Sequence, residues 1–292
     1  MFRAVQIETL VDGLVFPEGP RWRDDTLWFS DIWDDRVARV STDGNCVTVT
    51  RLEQPSGLGW LPDGRLLVVA MGARKLMRLE PTGDLVVHAD LSPFADWPCN
   101  DMVVAGDGTA YVGHFGWDRQ HGTTEPRAAS VLRVQPSGAV DVAADDMLFP
   151  NGMAITADGS TLIVAESSGS RVTAFDRGAD GSLSNRRIFA DFAKHNGHDR
   201  LDGHEPVRPD GICLDVDGAL WLPDPGGRRL MRVLDGGVVT ETTAIAGEAP
   251  LACAVGGHDG RTLFITFASI FEQDKALAAR SGRIGTAVLP PV

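Results

Sequence analysis

Four oxygen-bearing side chains, Glu18, Asn100, Asn151 and Asp210, each head a similar stretch of sequence: Glu18-Gly19, Asn100-Asp101, Asn151-Gly152 and Asp210-Gly211. Two carboxylates and two amides suit a hard divalent cation, because Ca2+ takes carboxylate and amide oxygens in irregular geometry. They nearly neutralise one such ion and leave coordination positions for water or a substrate. Neither His nor Cys, the residues that would argue for zinc, stands at these places. A cation held this way polarises a carbonyl and acidifies a bound water, so hydrolysis of a small ester is the chemistry this set suits. Taken singly, an Asn or Asp before Gly reads more readily as a local turn residue. Recurrence at one repeat position is what favours a ring of ligands.

That position recurs because the chain repeats itself. Six segments, starting at Glu18, Ser56, Asn100, Asn151, Asp210 and Leu251, share an apolar alternation, a turn and a second apolar run. Asp63-Gly64, Asp107-Gly108, Asp158-Gly159 and Asp217-Gly218 supply turns that need positive φ. The runs Leu66 to Ala70, Thr161 to Ala165 and Thr262 to Phe267 are rich in Val, Ile, Leu and Thr, as buried strands are. Third strands are expected at Arg36 to Val40, Lys75 to Leu79, Val131 to Val134, Arg171 to Phe175 and Leu230 to Val233, and fourth strands at Cys46 to Thr50 and Leu85 to His88. Four antiparallel strands repeated six times define an all-β, six-bladed β-propeller around a central channel. The starts lie 38, 44, 51, 59 and 41 residues apart, bracketing ordinary blade lengths. A single domain over residues 1–292 is expected, with Ala4 to Leu10 adding a strand to the last blade and closing the ring. The one helix candidate, Gln273 to Arg280, is short. Inner strands of a propeller surround its axis, so the column Glu18, Ser56, Asn100, Asn151, Asp210 and Leu251 converges on the channel mouth.

The bulk properties narrow the partners. A net charge of -13 over 292 residues disfavours phosphate backbones and anionic lipid, so neither nucleic acid nor membrane is expected as a partner. No apolar run reaches the length of a membrane span. Glu8 and Asp12 interrupt the place where a signal peptide would be apolar, so the expected location is cytoplasmic. The four cysteines (Cys46, Cys99, Cys213, Cys253) lie far apart without a CxxC pair, which excludes a disulfide framework or zinc knuckle. Cys213 and Cys253 sit in apolar strand patterns and read as buried small hydrophobes.

At Pro17-Glu18-Gly19-Pro20, Asn100-Asp101, Pro150-Asn151-Gly152 and Arg208-Pro209-Asp210-Gly211, in this order and blade spacing, the chain resembles the senescence-marker protein, regucalcin and gluconolactonase family over nearly its whole length. The resemblance implies a six-bladed propeller with one catalytic divalent cation. It places metal ligands on Glu18, Asn151 and Asp210, and a ligand or substrate contact on Asn100. It implies a lactonase of the gluconolactonase kind; the cation expected from the ring's oxygen donors is Ca2+, with Zn2+, Mn2+ or Fe2+ as alternatives. The sugar-lactone branch would carry Arg two residues before Asn100; Pro98 stands there and leaves room for a more apolar lactone.

A carboxylate beside the ion is the natural acceptor for the proton of an attacking water. Asp210 is favoured over Glu18, with the roles of base, pure ligand and nucleophile all open to it. Substrate contacts are expected from Asn100, from Trp97, and from His114, Phe115 and Trp117. The insert 194–205 suits a surface lid; its His195, His198 and His204 read as solvated loop residues rather than a second metal site. Asp31 and Asp224 read equally as channel groups or turn residues, and Trp22, Trp60 and Trp221 as packing. The expected partner is a small lactone or ester, and the protein a monomer or small homo-oligomer. Two rivals remain: a phosphotriesterase or fluorophosphatase-type hydrolase on the same site, and a non-catalytic calcium-binding propeller. The full Glu/Asn/Asn/Asp set disfavours the non-catalytic reading, and a strictosidine-synthase-like propeller for the same reason.

Overall fold

The computed structural model describes residues 5–118, 122–193 and 206–289. Its strands form six four-stranded antiparallel sheets, the blades of a six-bladed β-propeller. In blades one to five the strands follow chain order from the axis outward. Their innermost strands are Pro17–Arg23, Pro55–Trp60, Cys99–Val104, Pro150–Ile155 and the two-residue Cys213–Leu214. Blade six runs Ala249–Gly256, Thr262–Ala268 and Gly282–Val288 outward, and the N-terminal strand Glu8–Leu14 completes its outer edge. That closure was expected of Ala4 to Leu10. The observed strand lies several residues further on, where Glu8 pairs with Thr286 and Leu14 with Gly282. Each innermost strand packs on the next, and that of blade six returns to that of blade one.

The apolar alternations match the sheets closely. Leu66–Ala70 and Lys75–Leu79 fall where expected, and the other runs extend by only a few residues. Core clusters fill the gaps between neighbouring blades: Leu67 and Val69 of blade two against Cys99 and Val112 of blade three, for example, and Ile163 of blade four against Leu222 of blade five. At about 25 cal/mol per Å2 of apolar surface buried, these slabs between blades hold the ring together. Trp22 stacks on Phe264 at 5.0 Å, Trp60 meets Trp28 edge-on at 5.4 Å, and Trp221 is fully buried, so all three serve packing.

The hairpin turns divide their work between two residues. Gly64 takes φ +86, while Asp63 accepts a hydrogen bond from the Arg65 amide at 3.0 Å. The helix Gln273–Ala279 lies between the second and third strands of blade six, packs against the turn Ile32–Asp34, and brings Phe271 to the channel mouth. No helix among the described residues is long and apolar enough to cross a membrane.

Candidate metal and active site

Inner strands around one axis approach each other closely, and the glycines that follow several ring positions show it. A Cβ on Gly152 would lie 2.4 Å from the Asp210 carbonyl oxygen and the Ile212 nitrogen; one on Gly211 would lie 2.2 Å from the Ala252 Cβ. The Asn-Gly and Asp-Gly pairs at the ring therefore serve axial packing rather than turns. Proline precedes the ring residue in five blades, at Pro17, Pro55, Pro150, Pro209 and Pro250. A strand can begin on proline because the missing donor falls outside the ladder. The pairing register then slips just past this point, between Glu18 and Arg21, Pro55 and Leu58, Cys99 and Met102, and Pro150 and Met153. Such irregularities release a side chain from the pleat and re-aim it, here toward the channel.

Glu18, Asn100, Asn151 and Asp210 all line one cavity of about 510 Å3. Hydrogen bonds run from blade to blade around them. The Ser56 hydroxyl donates to Asn100 Oδ1 at 3.4 Å, and Asn100 Nδ2 donates to Asn151 Oδ1 at 2.8 Å. Asn151 Nδ2 in turn donates to the Asp210 carboxylate and to Ser167 Oγ. Ser167, which no sequence signal singled out, also donates to the Pro209 carbonyl at 2.6 Å and so braces two ring positions.

Glu18 accepts its neighbour's amide, Gly19 N–H, at 3.1 Å. Burial pushes its carboxyl well above the usual range, and the nearby carboxylates of Asp210 and Asp101 push it further. Asp101 is buried, which raises it too, against the opposing Arg21 guanidinium 3.0 Å away. Three acidic groups thus share a desolvated region with one arginine. Among the described residues no three His, Cys, Asp or Glu side chains cluster so as to hold a metal ion. This ring mixes carboxylates with amides, and its oxygen donors and excess negative charge fit a hard dication rather than a soft one.

The expected substrate contacts separate. Phe115 and Pro98 line the cavity. Trp97 is partly buried outside the lining, and Trp117 stands behind it, edge-on to the lining residue Phe149 at 5.9 Å. His114 is 6% exposed, lies outside the lining, and accepts the Ser130 amide on Nε2 at 3.0 Å; burial pushes its ring down to about 4. Cys99 is buried, which pushes its thiol up to about 12 and leaves no nucleophile there. Cys253 is buried as expected, whereas Cys213 is only partly so, and their sulfurs lie 3.2 Å apart. The insert 194–205, with His195, His198 and His204, lies outside the described residues.

Asp31 and Asp224 prove to be structural, and Glu166 joins them. Each ends the second strand of its blade, is fully buried, and pairs with the arginine five residues on: Arg36, Arg171 or Arg229. Each also accepts backbone N–H groups from the segment entering the innermost strand. Asp31 takes Val15 and Phe16 at 3.0 and 2.7 Å, Glu166 takes Leu148 at 2.7 Å, and Asp224 takes Arg208 at 3.0 Å. Two or three residues beyond these amides stand Glu18, Asn151 and Asp210. Burial alone would raise Glu166, but hydrogen bonds from Arg171, Thr173 and Leu148 hold its carboxyl below the usual range.

A family model described as the SMP-30/Gluconolactonase/LRE-like region matches residues 16–269. The chain belongs to this family. It is 26% identical over 265 residues to regucalcin of Danio rerio, covering 89% of this chain and 85% of that one. It is likewise 26% identical over 256 residues to 6-deoxy-6-sulfogluconolactonase of Pseudomonas putida, covering 86% and 83%. Among solved structures, a luciferin-regenerating enzyme superposes with a TM-score of 0.80 at 20% identity, over 98% of this chain and 95% of that one, a likeness of fold.

Proposed function

We propose that the protein is a divalent-cation-dependent hydrolase that opens a small lactone at the ring of Glu18, Asn100, Asn151 and Asp210. The observation that carries this reading is the convergence of these four side chains, from four blades, on the wall of one cavity at the channel mouth. Membership of a family that includes a named lactonase supports it. Glu18, Asn151 and Asp210 would hold the cation, with Asn100 as fourth ligand or substrate contact, and Ca2+ is the ion the donor set suits best. When bound, the ion would supply Lewis-acid polarisation of the carbonyl and a more acidic water.

The chain's own residues do the rest. Asp210 accepts a hydrogen bond from Asn151, which fixes its carboxylate in orientation. It then takes the proton of the attacking water and returns it to the departing alkoxide. Ser167 and Asn100 keep the Asn151 amide turned so that its Nδ2 faces Asp210. Asp210→Asn keeps the shape and removes the base. Lactone hydrolysis in a pH-indicator assay should fall by at least about a hundredfold, with the melting temperature held within a few degrees. A variant as active as the parent would refute the role given to Asp210.

A further inference from the structure

The walls above the ring carry their own chemistry. On one side Phe16 packs against Trp33 at 4.1 Å between ring centroids and against Phe271 at 5.6 Å. On the other, Phe115 meets Phe149 edge-on at 4.9 Å. All five rings line the same cavity as the ring carboxylates and amides. Beyond the ring, the polar side chains in the lining are Gln54, Glu272 and Gln273; no Lys, Arg or His among the described residues reaches it. Phe271 is 52% exposed at the mouth, a large apolar surface held open to water beside a polar site. Such a surface is stabilised when an apolar ligand covers it.

Resting on the lactonase reading above, we propose that this pocket selects an uncharged lactone bearing an alkyl or aryl substituent, which lies between the Phe16–Phe271 and Phe115–Phe149 pairs while the ester group meets the ring. A substrate carrying carboxylate, sulfonate or phosphate would find no cationic side chain among the described residues of these walls, to which Glu272 adds a carboxylate. A polyhydroxylated lactone would lose water from its hydroxyls against aromatic faces, and buried polar groups without partners are costly. About 510 Å3 accommodates a five- or six-membered ring with a substituent of several carbons.

The test compares δ-lactones of one ring size, one carrying a pentyl chain and one carrying hydroxyls, together with the corresponding non-hydrolysable δ-lactams. Each buried methylene is worth about fourfold in binding, so kcat/KM for the pentyl lactone should exceed that for the hydroxylated one by at least about tenfold. Calorimetry on the lactams should show the same order. Phe271→Ala should shrink the pentyl-to-hydroxyl ratio several-fold. If the hydroxylated compounds are preferred in both turnover and binding, the inference falls while lactone hydrolysis stands. If no lactone is opened but the pentyl lactam binds more tightly, the hydrolase reading falls and the apolar preference of the pocket stands. If the ratio in Phe271→Ala is unchanged, the aromatic wall is not what selects.

Discussion

His114 shows how far burial can move a residue from the role its neighbours invite. It stands in a His-Phe-Gly-Trp segment beside the channel, yet the ring lies in the sheet, accepts a backbone amide and is pushed down to about 4. The neutral form belongs to the folded state, whereas an unfolded histidine titrates near 6.5. Between these values the unfolded chain binds more protons, so stability rises with pH there. The contribution is complete above 6.5 and lost as pH falls toward 4, an effect on the order of 3 kcal/mol. Replacing it by glutamine, which still accepts a hydrogen bond and does not titrate, should flatten the melting temperature between pH 6.5 and 4 relative to the parent. An equally steep acid slope in the variant would show that another group governs it. That Glu18, Asn151 and Asp210 would meet at one cavity was legible because oxygen donors recurred at one repeat position; the places of His114 and Trp117 were not, because a side chain's face depends on register, which periodicity does not fix at a strand's end.

Each clasp of buried carboxylate and arginine couples one element to the next. Asp31, Glu166 and Asp224 tie the end of a second strand to the segment that delivers Glu18, Asn151 or Asp210. The sequence left Asp31 and Asp224 open between channel and turn, and gave no reason to choose Glu166. Their partners are backbone amides distant in sequence, and only the closed blade brings these together. Asp224→Asn should cost about 3 kcal/mol by leaving Arg229 buried without its charge partner, and should weaken cation binding about tenfold by loosening the entry to Asp210. The control is Asp215, which pairs with Arg232 and accepts the Trp221 indole N–H within blade five. Asp215→Asn should lower stability comparably while leaving the cation dissociation constant unchanged in calorimetry. Equal loss of affinity in both variants would mean that the clasps matter only for folding.

At the scale of the whole molecule, the propeller is what turns six modest sequence signals into one site. The fold was legible because Val, Leu and Ile alternation and Asp-Gly turns recur in every blade. The lateral position of the closing strand was less so, since Ala4 to Leu10 and Glu8–Leu14 overlap in composition and the choice rests on pairing with Gly282–Val288. The chemistry of the walls was hidden for a different reason: Phe16, Trp33, Phe149 and Phe271 come from separate connections that meet only at the mouth. The proposed mechanism depends above all on one dication seated on the axis, held by oxygens of different blades. Crystals soaked in Ca2+ and measured for anomalous scattering test it most directly. One peak is predicted on the channel axis, roughly 2.3–2.6 Å from carboxylate or amide oxygens of Glu18, Asn151 and Asp210. A saturated crystal with no peak there, or a peak bound only elsewhere, would contradict it.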